Sequence, residues 1–141
     1  TVRQVCTDQP YRARSGRFTG REGSFPDYLE FVLDQASRHD WSTREACDAW
    51  SSGAYLLETV PSVLWILARH AHDPEEAIVR AVNDTHDNDT IATLVGAAVG
   101  ALHGKDALPI AWQHGLLGRT TADDNGRVFR LIEEAVRRDW P

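Results

Sequence analysis

The stretch NDTHDNDTIATLVGAAVGALHG, residues 83–104, decides how this chain is read. It opens with three aspartates, Asp84, Asp87 and Asp89, and passes directly into a run from Ile91 to Leu102 that is apolar or small apart from Thr93. A run of this kind, too short to span a bilayer, predicts a helix buried on all sides within a helical core. Gly96, Gly100 and Gly104 recur at every fourth residue. One helical face therefore carries hydrogen in place of side chains, and the spacing predicts close approach of another backbone.

The aspartates carry the chemistry. On a regular helix, side chains two apart point about 200° apart, so Asp87 and Asp89 would diverge there, whereas in a loop entering a helix they converge. Thr90 adds a hydroxyl, giving an all-oxygen set suited to a hard cation such as magnesium rather than to zinc. Two readings stand at this point. The residues cap the helix and complement its positive end, which needs only one of Asp87, Asn88 or Asp89; or they hold a metal, which gives the other carboxylate a role. An EF-hand is not spelled, because its central glycine and terminal glutamate are absent at the required offsets.

Helical periodicity continues on both sides. Leu29, Val32, Leu33 and Ala36 fall at i, i+3, i+4 and i+7, predicting a helix from Pro26 to near His39. Ser42 and Glu45 have capping-box spacing, so a short helix runs to about Trp50 and is broken by Ser51, Ser52 and Gly53. Val60, Val63, Leu64, Leu67, Ala68 and Ala71, widened by Trp65 and Ile66, predict a central helix with Pro61 in its first turn. Asp73, Pro74 and Glu76 supply an N-cap, first helical position and capping box for a helix ending near Asn83, with Ala77, Ile78, Ala81 and Val82 buried. Pro109 to His114 suggests a short helix. Asp123 or Asp124 is placed to cap a last one, burying Val128, Phe129, Ile132 and Val136. The fold class is all-α: an irregular or hairpin-like segment at 1–25, rich in Arg, Gly, Ser and Thr, precedes a single helical domain at 26–141.

Composition sets the bounds. The 141 residues suffice for one domain with a sizeable core, and 42% hydrophobic and 26% charged residues are ordinary for a globular protein. The formal charge of −6 gives no general attraction to nucleic acid. Arg12, Arg14, Arg17 and Arg21 make the first segment locally basic, which reads as a solvated loop. Cys6 and Cys47 form neither a zinc motif nor a disulfide framework, so a reducing, cytoplasmic setting fits. The longest apolar window, Ala54 to Ala68, is interrupted by Glu58 and Pro61, so no membrane span is expected. The five tryptophans read as core anchors, and His70, His72, His103 and His114 as helix-end residues; His86 stands among the carboxylates. The chain starts at Thr1 and contains no methionine, which suggests processing, proteolysis or a missing companion segment.

Two segments together resemble the ADP-ribosylglycohydrolases. Ala81-Val82-Asn83 through Asp87-Asn88-Asp89-Thr90-Ile91-Ala92 and on to Gly96–Ala101 resembles the family's carboxy-terminal metal motif. Gly53-Ala54-Tyr55-Leu56-Leu57-Glu58-Thr59-Val60 looks like its glycine–aromatic segment leading to an acidic residue and threonine. The resemblance implies the carboxy-terminal half of an all-α fold around two Mg2+ ions. It also implies hydrolysis of the glycosidic bond between ADP-ribose and a protein side chain, arginine being the commonest acceptor. By motif, Asp87, Asp89 and Thr90 are metal ligands, Asp87 and Asp89 are also the catalytic carboxylates, and Gly53 and Tyr55 lie near bound ADP-ribose. The partners implied are an ADP-ribosylated protein or a small ADP-ribose conjugate.

Thr85 and His86 stand where the family usually has a glycine pair. Its remaining metal ligands come from an amino-terminal Thr-Asp-Asp motif, and Thr121-Ala122-Asp123-Asp124 lies on the wrong side of the core motif to supply it. Magnesium takes about six oxygens, and two ions would share three side chains here. The expectation is an enzyme active only with an amino-terminal half, or else a non-catalytic relative that binds ADP-ribose or magnesium.

Overall fold

A computed structural model of the chain describes residues 10–117 and 127–139. Among them are seven α-helices and one two-stranded sheet, so the chain is all-α. It divides into two compact units, Thr1–Gly104 and Lys105–Pro141.

In the first unit β1 (Tyr11–Arg12) pairs antiparallel with β2 (Glu22–Gly23), making the hairpin expected of the opening segment. Helix α1 spans Phe25–Arg38, with Ser24 accepting the Asp27 amide and Pro26 in the first turn, where its missing N–H costs nothing. Helix α2 is Thr43–Trp50, and the Ser42–Glu45 capping box forms in both directions. Helix α3 is Leu56–His70, α4 is Pro74–Asn83 and α5 is Asn88–His103. Asp73 accepts the Glu76 amide at 3.1 Å, but the Glu76 carboxylate turns to Arg80 at 2.8 Å. That predicted capping box is therefore half made.

Helix α3 is central, touching α1, α2, α4 and α5. On one side Phe25, Tyr28, Val32, Ala46, Trp50 and Leu57 pack together; on the other Ile66, Ala77, Ala81, Ile91, Val95 and Val99 do. Each large apolar side chain buried this way stabilises the fold by about 1.5–3 kcal/mol before entropy is counted. The buried Trp50 Nε1–H donates to Ser62 Oγ at 2.8 Å, and that hydroxyl donates to the Glu58 carbonyl at 2.7 Å. The indole's polar end is thereby satisfied inside the core.

Several burial expectations are corrected. Helix α5 packs against α3 and α4, so it buries only the i, i+4, i+8 stripe Ile91, Val95, Val99, and leaves Leu94 and Leu102 45% and 67% exposed. Its glycine face admits no close backbone among the described residues: a side chain at Gly96 would meet Ile78 at an ordinary 3.9 Å, and one at Gly100 nothing. Leu64, Ala68 and Val82 are exposed, because the neighbours of α3 and α4 reach Leu57, Trp65, Ile66, Ala77 and Ala81 instead.

The glycine that does allow close approach is Gly16, at the hairpin tip. With φ +72°, it abuts the end of α2, where an added Cβ would overlap the Ala49 carbonyl oxygen and lie 3.0 Å from Trp50 backbone atoms. The adjoining Arg17 amide donates to that same carbonyl at 2.7 Å. The hairpin arginines are not simply solvated, as their composition suggested. Arg14 lies over Tyr55, Arg17 over Trp41 and Arg21 over Phe31, with guanidinium-to-ring distances of 4.1, 5.3 and 3.6 Å, while Arg12 faces Glu22 at 3.6 Å. Planar guanidinium groups gain from such faces by cation–π attraction.

Two histidines settle differently from each other. His70 bonds the Thr43 hydroxyl at 2.9 Å rather than a helix-end carbonyl, whereas His103 Nε2 contacts the Ala71 carbonyl at 2.6 Å.

The second unit contains a 3-10 turn, Lys105–Ala107, with α6 at Ile110–Leu117 and α7 at Arg127–Asp139. Gln113 donates to the carbonyls of Lys105 and Leu108 at 3.0 and 3.2 Å, closing the turn onto α6. Ile132 and Val136, expected to be buried, are 54% and 53% exposed. Cys6, Asp123, Asp124, Trp140 and the side chains of Val128 and Phe129 lie outside the described residues. Among those described, no helix is long and apolar enough to cross a membrane.

Candidate functional site

The corner between α2 and α3 gathers the chemistry. Ser51 ends α2 in a left-handed conformation, φ 67°, and turns Ser52 inward until it is fully buried. Ser52 then holds the acidic loop: its carbonyl accepts the Asp87 amide at 3.0 Å and its Oγ accepts the His86 amide at 3.0 Å. The two segments singled out in the sequence, residues 53–60 and 83–90, thus meet at a residue that the sequence reading treated as a helix break.

At the loop's end Asp87 is the N-cap residue of α5 but makes no capping hydrogen bond. The capping reading is therefore not realised by its side chain. Instead its Oδ2 is buried with no hydrogen-bond partner. Asp89 accepts its neighbour Thr90's amide at 2.7 Å, and this bond, followed by contact with the Asp87 carboxyl, holds Asp89 below the usual carboxylate range. Asp89 and Thr90 are exposed and line an open depression of about 320 Å3 with Thr93 and Leu94.

A buried acceptor without a partner is costly, and a hard cation relieves it. The donor set Asp87, Asp89 and Thr90 fits magnesium in chemical type. Among the described residues no group of three or more His, Cys, Asp or Glu is placed to hold a metal ion.

Gly53 and Tyr55 flank the corner's other side. The Gly53 carbonyl accepts Thr59 Oγ1 at 2.7 Å, and the place of its missing side chain is taken by Glu58, whose Oε2 stands 2.5 Å from where a Cβ would sit. Glu58 lies in the first turn of α3, is 8% exposed, and accepts a hydrogen bond from Ser15. The positive end of the helix favours a carboxylate there. Burial, and next the Glu58 charge, pushes the nearby Tyr28 phenol up to about 12. Tyr55 is the N-cap residue of α3 and carries Arg14 on its ring. His86 faces Asp48 at 3.8 Å across exposed surface.

Ser52, Glu58, Ser15 and Arg14 were missing from the site as read from sequence. Glu58 was legible inside its motif. Ser15 and Arg14 precede that motif by some forty residues, and nothing local signals the contact.

The model of the ADP-ribosylglycohydrolase family matches residues 4–139. The chain is 31% identical over 103 residues to human ADP-ribosylhydrolase ARH3, covering 65% of this chain and 27% of that protein. It is 24% identical over 141 residues to the Xenopus tropicalis ARH3, covering 93% and 40%. Over 67 residues it is 33% identical to the ADP-ribosylarginine hydrolase Tri1 of Pseudomonas putida (strain GB-1), covering 46% and 17%. The chain therefore spans well under half the length of each of these relatives. No solved structure matches it significantly. With the family's model matched along nearly its whole length, and the acidic loop locked by Ser52 to the glycine–aromatic corner, the chain belongs to the ADP-ribosylglycohydrolase family.

Proposed function

We propose that this chain contributes the Asp87–Asp89–Thr90 side of a magnesium-dependent site that hydrolyses the glycosidic bond between ADP-ribose and a protein side chain. One observation carries the reading: Asp87 Oδ2 is buried and without a partner beside a second carboxylate, at the end of a loop that Ser52 fixes. Asp87, Asp89 and Thr90 would hold the ion, and Gly53 and Tyr55 would face the ADP-ribose. Bound there, two Mg2+ ions would supply electrostatic stabilisation and hold ribose hydroxyls and a water in register.

Asp87 or Asp89 orients the attacking water and takes its proton. The water oxygen bonds to the ribose anomeric carbon as the bond to the acceptor breaks, and the acceptor leaves carrying a proton. Arginine is the preferred acceptor, in keeping with the relative named as an ADP-ribosylarginine hydrolase. Three side chains are too few oxygens for two ions, so further ligands come from another segment or chain, and the reaction needs that companion. The setting proposed is cytoplasmic.

The test is release of ADP-ribose from an arginine-modified peptide by the complemented protein, with and without Mg2+. Metal-dependent release that Asp87→Ala and Asp89→Ala abolish is the expected result. Metal-dependent ADP-ribose binding without release would favour a non-catalytic binding relative. Magnesium affinity indifferent to both substitutions would refute the assignment of the site.

A further inference from the structure

The hairpin at residues 11–23 is the locally basic segment whose sequence reads as a solvated loop, and the function proposed above does not use it. Three contacts nevertheless seat it on the substrate corner. Gly16 backs onto the Ala49 carbonyl, the Arg17 amide donates to that oxygen at 2.7 Å, and Ser15 donates to the buried Glu58 carboxylate. The tip is also held internally, by the Ala13 amide to the Arg21 carbonyl at 2.9 Å and the Gly20 amide to the Ala13 carbonyl at 2.8 Å. Arg14 therefore projects from a fixed backbone, with its guanidinium 4.1 Å from the centre of the Tyr55 ring.

The four hairpin arginines are not equivalent. Arg12 faces Glu22, Arg17 lies on Trp41 and Arg21 on Phe31, all outside the motif segments. Arg14 alone among these four rests on a motif residue. It is exposed, and no ion pair with it is formed among the described residues. The junction that the hairpin reaches through Ser15 and Glu58 is acidic: Asp48 on α2, Glu58 on α3, and Asp87 and Asp89 at the start of α5. A diphosphate entering such a field is repelled unless a fixed cation meets it, and a guanidinium offers several N–H donors in a fork that matches phosphate oxygens. An arginine stacked on an aromatic ring keeps the edge of that fork open while its orientation is restricted.

We infer that Arg14 binds the diphosphate of ADP-ribose, using the Tyr55 ring as the platform that aims its guanidinium. The inference rests on the function proposed above and adds to it the group that recognises the charged part of the substrate. Arg14 is a binding residue, remote from the bond that is cleaved.

Calorimetric titration of ADP-ribose into the complemented protein, in Mg2+, compares the wild type with Arg14→Ala, Arg14→Lys and Asp87→Ala. Arg14→Ala should weaken ADP-ribose binding on the order of tenfold or more, as expected for loss of a charge-assisted hydrogen bond. It should also flatten the dependence of affinity on salt. Arg14→Lys should recover part of the loss, because charge is kept and the fork is not. Adenosine, which lacks the diphosphate, should bind wild type and Arg14→Ala alike. Affinity that falls with Asp87→Ala but is indifferent to Arg14→Ala overturns the diphosphate assignment alone. ADP-ribose affinity that is absent from the wild type, or untouched by Asp87→Ala, overturns the underlying glycohydrolase reading and this inference with it.

Discussion

Replacing Gly16 by alanine tests whether the hairpin is seated on the end of α2. Two costs arise, and a second glycine separates them. Gly16 and Gly20 both have left-handed backbones, φ +72° and +86°, so an alanine at either costs about 1–2 kcal/mol of conformational strain, less about 0.4–1 kcal/mol recovered from a stiffer unfolded chain. At Gly20 nothing lies within 4 Å of the new methyl, so the net cost should be about 0–1.6 kcal/mol. At Gly16 the methyl also collides with the Ala49 carbonyl and presses on Trp50 backbone atoms 3.0 Å away. Backbone on a formed helix cannot rotate aside, and such overpacking costs a further ~1–3 kcal/mol.

Urea unfolding should therefore show Gly16→Ala destabilised beyond Gly20→Ala by about 1–3 kcal/mol, with unchanged m if the fold stays cooperative. Where the hairpin instead lifts off, amide exchange reports it. The Arg17 amide, bonded to Ala49 at 2.7 Å, should lose protection in Gly16→Ala and keep it in Gly20→Ala. Equal destabilisation of the two variants, with equal exchange at Arg17, would refute the seating and remove the support beneath Arg14.

Two further outcomes follow from titratable groups withdrawn from water, His70 partly and Cys47 fully. Burial holds His70 below its ordinary pKa of 6.5, and the unfolded chain, titrating near that value, binds the proton more readily. The stability this lends is present above about pH 6.5 and is lost as pH falls through the window below it, so the urea midpoint should drop more steeply on acidification in the wild type than in His70→Gln; parallel profiles would count against the desolvation of His70. The buried Cys47 thiol, pushed up to about 12 chiefly by desolvation, should resist iodoacetamide at mildly alkaline pH until denaturant is added, as read by peptide mass mapping, and labelling of the native protein would contradict its burial.

How much of this was legible in the sequence depended on the range of the interaction. Caps are local: Ser42 and Glu45, or Asp73 with Pro74, announce helix starts within four residues, and these starts are found where expected. Periodicity located the helices but not their buried faces. The side of α5 that packs is chosen by which neighbours arrive, and α3 and α4 cover one stripe of a helix whose composition looked fit for burial throughout. In the acidic loop the sequence singled out Asp87, Asp89 and Thr90, while the observation on which the proposed metal site rests, an Asp87 oxygen without a partner, needs coordinates. Glycine repetition misled for a related reason: the three glycines spaced by four meet little, and the consequential ones are the unrepeated Gly16 and Gly53.

Gly53 and Glu58 occupy what is in effect a single volume. The carboxylate reaches Ser15 while lying where a side chain at position 53 would be, and it is itself almost completely buried. The two positions are thus one unit of heredity in physical terms. An alanine at 53 would press on the movable end of Glu58 and on the Ser51 carbonyl 3.2 Å away, and shortening Glu58 would open room at 53 while surrendering the Ser15 tether. Among relatives that keep this hairpin, a side chain at 53 should be commoner where 58 carries a smaller residue than glutamate.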